Sequence, residues 1–278
     1  MESRIASAIR LELAPVALIW ADRKPEPALE FARSKWGCVM FLMAAAAKGR
    51  TAVAGRETFG CWGGGVGLGF GNQYKNFPGG EECFCCFLSH GIERSEQGDA
   101  TGEEVGASVN KGIAEGLRRG ERYIKTPELA AKFIQAMPMV DIPARYVVMK
   151  PLGEVDRSRD DVKSITFFVN PDQLSALVVL ANYDSQHNEN VIIPYAAGCQ
   201  VIGIFTYREL GRESPRALVG LTDISARRNV RRQLGKDVLS FSVTPEMFDR
   251  MEGNVSGSFL EEDTWKGLAD ESCRSTGR

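Results

Sequence analysis

Short apolar runs and turn residues alternate along the chain, with no internal repeat, heptad or low-complexity stretch. In the first half, Val16-Ala-Leu-Ile-Trp20 reads as a buried strand, followed by a turn broken at Pro25 and Pro27. Residues 31–48 carry a helical pattern that includes Cys38 and stops at Lys48-Gly49, an ordinary C-terminal signal. A short strand over 51–59 leads into Cys61-Trp-Gly-Gly-Gly-Val-Gly-Leu-Gly-Phe-Gly71, which reads as a glycine loop. Residues 83–90 predict a short helix or turn, and the polar stretch 94–108 a long surface loop. Helices are expected over 109–119 and 127–136, the second capped by Thr126 with Pro127 at its first position.

The second half alternates more clearly. Residues 145–150 and 164–169 are β-branched or aromatic runs that predict strands. Asn170-Pro171-Asp172-Gln173 is a cap-then-proline helix start, with an apolar body running to Leu180. A further helix is expected over 198–210, with Cys199 at its N-terminal end. Strands are expected over 217–221 and 238–242, and Thr244-Pro245-Glu246 opens the next helix. Helices and strands are mixed without a regular βαβ alternation. The expected fold class is therefore α+β, a mixed sheet with flanking helices. The whole chain, 1–278, is taken as one domain, with two lobes, 1–140 and 141–278, around a cysteine and glycine-loop site.

Hydrophobic residues make up 44% and charged residues 25% of the 278, ordinary values for a globular chain with a real core. A net charge of −2 counts against a sequence-independent nucleic-acid binder. Residues 13–20 follow Arg4 and Arg10 in the manner of a signal peptide. Glu2, Glu12, the interrupting Pro15 and the lack of a small-residue cleavage site before Asp22-Arg23-Lys24 favour a strand instead. No apolar run approaches the roughly 18–20 residues of a membrane span. The expectation is a cytoplasmic protein with no membrane or nucleic-acid partner, acting with a small-molecule ligand or a redox partner. Thiols stay reduced in that compartment, so seven cysteines argue for metal binding or chemistry rather than disulfides.

The glycine segment is not a nucleotide motif: it has no G-x-G-x-x-G spacing and no terminal Gly-Lys-Ser/Thr. Its amides either line an anion- or cluster-binding nest, or its glycines permit close packing. Cys83-Phe-Cys-Cys86 with His90 holds one C-x2-C pair, but a structural zinc site wants a second pair, and the ferredoxin cysteine run is missing. These three thiols also read as small buried hydrophobes. Cys199 at a helix N-terminus is favoured as a thiolate by the helix dipole, with core packing the alternative. Asp223 or Ser225 caps a helix bearing Arg227, Arg228, Arg231 and Arg232. Arg227 either grips a ligand's carboxylate or phosphate or belongs to a solvated face. With two histidines and no nucleophile elbow, a conventional triad is not expected.

In their order these features resemble the prokaryotic domain of unknown function family 169, common in anaerobes. The likeness runs from Pro15-Val16-Ala17 through Cys38, Cys61-x-Gly-Gly and Gly67-Leu68-Gly69. It continues through Asn170-Pro171-Asp172-Gln173, Ala-Gly-Cys199 and Gly220-Leu-Thr-Asp223 with Arg227, to Phe241–Phe248. The resemblance implies the architecture and places Cys38, Cys61 and Cys199 on family positions, leaving Cys83, Cys85 and Cys86 outside the pattern. It implies no reaction or substrate.

The expectation that follows is a thiolate-bound metal centre, an iron–sulfur cluster with a redox or electron-transfer role, held by Cys38, Cys61 and Cys199. Three thiolates need a cationic centre to compensate them. The fourth position falls to Cys86 or a neighbour on its segment, or stays open for a ligand. Amides of Gly63, Gly64, Gly65 and Gly67 are expected to donate to sulfur. The alternatives are an anion-binding module built on the glycines, Asp223 and Arg227 with cysteines in the core, or a thiol enzyme using Cys61 or Cys199.

Overall fold

The computed structural model describes residues 2–33, 35–92, 103, 115–116 and 118–275. The polar loop expected over 94–108 and most of the helix expected over 109–119 lie outside the described residues. Among the described residues seven strands make one sheet: β1 Val16–Ala21, β2 Ala52–Gly55, β3 Tyr146–Pro151, β4 Asp161–Val169, β5 Val191–Ile192, β6 Ala217–Gly220 and β7 Leu239–Val243. Their order is β2-β3-β1-β4-β7-β6-β5, antiparallel throughout except for the parallel β5/β6 pair. The fold is α+β with a mixed sheet, as the sequence predicts. Because β1 lies between β3 and β4, the sheet draws strands from both sides of residue 140, and a division at that point would cut through it.

Helices cover both faces. They are α1 Arg4–Ala8, α2 Val39–Ala47, α3 Trp62–Leu68, α4 Gly80–Leu88, α5 Pro127–Gln135, α6 Pro171–Asn182, α7 Gly198–Gln200, α8 Ile224–Leu234, α9 Pro245–Gly253 and α10 Asp263–Ser275. The period-2 alternation of the strands sorts the core into two layers. Ala17, Ile19, Ile165, Phe167, Phe241 and Val243 point to the face covered by α1, α6, α9 and α10. Val16, Leu18, Val147, Met149, Phe168 and Leu218 point to the opposite face, where α2, α3, α4, α5, α7 and α8 pack.

On that second face the sheet also presents small polar residues, Ser164, Thr166, Ser240 and Ser242, all fully buried, beside Gly220. Thr166 and Ser242 bond to each other across β4 and β7 (2.9 Å). Above them α7 runs directly into a π-helical stretch, Val201–Phe205. A Cβ on Gly220 would lie 2.7 Å from Val201 Cγ1, so this short-side-chain surface is what lets the wide π turn settle onto the sheet.

Two expected elements differ. The helix predicted from residue 31 starts only at Val39, with Cys38 as an extended N-cap residue rather than part of the helix body. The glycine stretch is not a loop: residues 62–68 are α3, closed by Gly69 in the left-handed region (φ 92°). Gly64 and Gly67 within it belong to close helix contacts rather than to turns. No helix among the described residues is long and apolar enough to cross a membrane.

Candidate functional site

The N-terminal ends of α2, α3, α7 and α8 meet on the second face of the sheet. Cys38 is the N-cap residue of α2, Cys61 that of α3, and Asp223 that of α8, while Cys199 sits in the first turn of α7. The caps weave these ends together. Asp223 accepts from its own helix at Ala226 N (2.7 Å) and from Gly198 N of α7 (2.6 Å). Cys61 Sγ accepts from Gly64 N (3.2 Å) and is also approached by the Val39 amide of α2. Cys199 donates its thiol hydrogen to the Gly63 carbonyl (3.3 Å).

Glycine makes the approach possible. A Cβ on Gly67 would lie 2.6 to 2.8 Å from the carbonyl carbon and oxygen of Cys199 and the nitrogen of Gln200. A Cβ on Gly64 would lie 2.6 Å from Val39 Cγ2. The close-packing alternative for the glycine segment therefore describes Gly64 and Gly67. Of the four amides expected to serve sulfur, that of Gly64 does so; Gly63 contributes its carbonyl, and Gly65 N donates to Cys61 O within the helix.

Cys38, Cys61 and Cys199, far apart in sequence, lie within electrostatic reach of one another and of Asp223. Burial is the main force pushing the Cys38 thiol up to about 12, with the Cys61 charge next. Cys199 is held well above the ordinary thiol value by burial, then by Cys61, Cys38 and Asp223. Cys61 is also raised by burial, against the pull of the Gly64 and Val39 amides. Asp223 itself is raised by burial, opposed by the Ala226 and Gly198 amides and by Arg227. Three neutral thiols are thus the resting form near neutrality, and ionising them together calls for a cation between them.

As a donor set, three soft sulfurs served by backbone amides suit a thiophilic metal. Their side chains do not stand as a finished ligand shell: among the described residues no three His, Cys, Asp or Glu side chains are grouped to hold a metal ion.

The remaining expected residues fall elsewhere. Cys86, with Cys83 and Cys85, lies on α4, and the charges acting on Cys86 are those of Cys83, Glu82 and Glu128, not of the three site thiols. Arg227 spends its guanidinium on main-chain carbonyls, donating to Val238 O (2.9 Å), Lys236 O (2.6 Å) and Leu221 O (3.3 Å). Leu221 is a non-glycine residue with φ of 58°, so Arg227 ties down the strained turn that aims Asp223.

The profile of the uncharacterised ArCR family, domain of unknown function 169, matches residues 4–254. The chain belongs to this family. No curated protein and no solved structure gives a match. The ArCR match takes in the seven described strands and every residue of the thiol site, and among the described α-helices leaves out α10.

Several site residues carry no sequence motif. Tyr74 is buried within electrostatic reach of Cys199 and Cys61, and Gln200 donates to its hydroxyl (2.5 Å). Ser225 donates to Glu121 and shares a hydrogen bond with Tyr123 Oη (3.0 Å). Glu121 is raised by burial and by the Asp223 charge, so it keeps its proton to higher pH than a free carboxyl. Gln200 alone had a local signal, standing three residues after Ala197 at a helix start, where its side chain accepts from the Ala197 amide (2.9 Å). Tyr74 and Glu121 reach the site through the tertiary fold alone.

Proposed function

We propose that this ArCR-family protein is a redox protein that holds a thiophilic metal centre, an iron–sulfur cluster, through Cys38, Cys61 and Cys199. The observation carrying this reading is the meeting of three thiols from distant parts of the chain at four helix N-termini. Positive helix ends and main-chain amides favour anionic sulfur, while burial disfavours it until a metal supplies positive charge. Bound there, a cluster would supply one-electron chemistry. The chain's own contribution is to bring the sulfurs together, to donate from the Gly64 and Val39 amides to Cys61, and to limit water at the centre. With Cys86 set apart on α4, the fourth position is left to an external ligand. A cytoplasmic, anaerobic setting suits thiols that must stay reduced.

The test is anaerobic purification and reconstitution with iron and sulfide, followed by metal and sulfide analysis. Wild type and Cys86→Ser are expected to retain a coloured centre, and Cys38→Ser, Cys61→Ser and Cys199→Ser to lose most of it. A colourless, iron-free wild type after reconstitution would overturn the reading.

One observation favours a second reading, a thiol nucleophile at Cys61: it alone of the three cysteine residues is partly exposed, and two amides serve its sulfur. That reading predicts that Cys61 is alkylated far faster than the other thiols near pH 7 with no metal present.

A further inference from the structure

α8 packs on α2 through Ala226, Val230 and Leu234, all buried. The opposite stripe of the helix carries Ile224, Arg228, Arg231 and Arg232, spaced i, i+4, i+7 and i+8. Ile224 is 66% exposed, and the three arginines are exposed as well. No carboxylate lies on the helix. The two acids at its start are already engaged: Asp223 accepts from Ala226 N and Gly198 N, and Glu121 accepts from Ser225. Among the described residues Arg228, Arg231 and Arg232 have no ion-pair partner. Arginines elsewhere are held by carboxylates, Arg4 by Glu252, Arg56 by Asp141 and Arg157 by Asp249.

The helix dipole accounts for Arg231 and Arg232, which stand in the last turn. It does not account for Arg228 in the middle of the helix. Nor is Ile224 an isolated apolar residue in water. Tyr195, 55% exposed, donates its hydroxyl to Tyr123 O (3.4 Å), and Tyr123 Oη shares a hydrogen bond with Ser225 Oγ (3.0 Å), the residue after Ile224. Exposed aliphatic and aromatic side chains thus flank Tyr123 beside unpaired arginines, the composition of a protein-docking face with an apolar middle. Its place in the fold gives it a purpose. Ile224 follows Asp223, which holds the amide of Gly198 next to Cys199, and the helix beneath it, α2, is capped by Cys38.

We propose that the outer face of α8, with Tyr195, docks an acidic electron-carrier protein that serves the thiol site. The carrier would be oxidised by one electron as the thiol-held centre is reduced, or the reverse, and no atom is transferred. The electron exchange rests on the metal-centre reading; the docking of an acidic protein does not. Charge complementarity selects the occupant. Three unpaired cations would steer an acidic surface onto the face, and electron carriers use small, charge-steered interfaces of this kind.

The experiment titrates the protein with a small acidic plant-type ferredoxin by calorimetry at about 50 and about 300 mM NaCl. The proteins compared are wild type, Arg228→Glu/Arg231→Glu, Ile224→Ser and the control Arg50→Glu/Arg145→Glu. The control arginines are exposed and lie at the β2/β3 end of the sheet, away from β6 and α8. Wild type should bind, and lose about tenfold in affinity at the higher salt. A charge reversal removes an attraction and adds a repulsion, so Arg228→Glu/Arg231→Glu should lose about tenfold at low salt. Ile224→Ser should weaken binding at both salts, and the control should match wild type. A wild type that does not bind the ferredoxin, or an equal loss in the control, overturns the docking face. A wild type that instead dimerises through α8, seen by sedimentation and abolished by the same reversal, overturns it too. Iron content after reconstitution separates the two readings. An iron-free wild type that still binds ferredoxin through α8 sinks the metal centre and keeps the docking face. An iron-loaded protein indifferent to ferredoxin sinks the docking face alone.

Discussion

Replacing Gly67 by alanine puts a Cβ where the main chain of α7 already lies. Its nearest neighbours would be Cys199 C at 2.6 Å, Cys199 O at 2.7 Å and Gln200 N at 2.8 Å. These atoms form the first turn of α7, which is held by the Gly198–Asp223 bond on one side and the Gln200–Tyr74 bond on the other, so no flexible side chain can swing away. Overpacking of this kind costs about 1–3 kcal/mol, and a clash with the main chain of a pinned turn falls at the upper end. Glycine to alanine inside a helix returns at most about 1 kcal/mol through propensity. The net expectation for Gly67→Ala is a loss of about 2 kcal/mol in urea unfolding at unchanged m value. Gly63→Ala is the control: its Cβ would meet only Tyr74 Oη, at 3.9 Å, so stability should stay within about 0.5 kcal/mol of wild type. Because the displaced turn carries Cys199, Gly67→Ala should also lower metal uptake while Gly63→Ala does not. A Gly67→Ala protein as stable as wild type, or more so, would refute the claim that this glycine exists for close approach.

Other outcomes follow from the same contacts. Asp223→Ala strips the cap from Ala226 N and the partner from Gly198 N, and should cost about 2 kcal/mol, with Asp223→Asn recovering part of it in the same unfolding assay. Arg227→Ala removes donors from three main-chain carbonyls and should lose about 2 kcal/mol, which Arg227→Lys cannot restore because one ammonium does not span Leu221, Lys236 and Val238. Glu121 has a raised folded-state pKa, so its stabilising share is full below the unfolded value of about 4.3 and falls as pH rises through the folded one. Wild type should therefore lose stability relative to Glu121→Gln across that window, seen as diverging melting temperatures from pH 4 upward. Cys38 follows the same sign at alkaline pH: metal-free wild type should lose about 2 kcal/mol relative to Cys38→Ser between pH 8.5 and 10.5, as the unfolded thiol ionises and the buried one does not.

Much of the frame was legible because local signals and tertiary demands agree. Asn170 closes a full capping box with Gln173 (2.9 and 3.0 Å), and Thr126 and Thr244 cap proline-led helices where expected. Strand parity in residues 164–169 and 239–243 sorts apolar from small polar positions as a sheet between two helical layers requires. The errors lie at the site. Six glycines among the eleven residues 61–71 read as loop by propensity, yet α3 is helical because Gly64 and Gly67 stand where α2 and α7 come closest, and packing overrides propensity. Residues 31–33 and 35–38 carry helix-like spacing but form no helix, with Gly37 placed so that a Cβ there would lie 2.4 Å from the Phe31 ring. Cys38, Cys61 and Cys199 were visible as thiols near glycine or helix starts. Tyr74 and Glu121 were not, since nothing local distinguishes a side chain whose role is set by long-range contact.

The most direct measurement is X-ray absorption at the zinc edge of the protein loaded with one equivalent of Zn²⁺ alone, compared with its Cys38→Ser, Cys61→Ser, Cys199→Ser and Cys86→Ser variants. A thiol centre at the meeting of α2, α3 and α7 predicts a first shell with three sulfurs near 2.3 Å, roughly the usual zinc–thiolate distance, with one sulfur lost in each of the first three variants and none in Cys86→Ser. A shell of nitrogen and oxygen only, or one whose sulfurs depend on Cys86 instead, would contradict it.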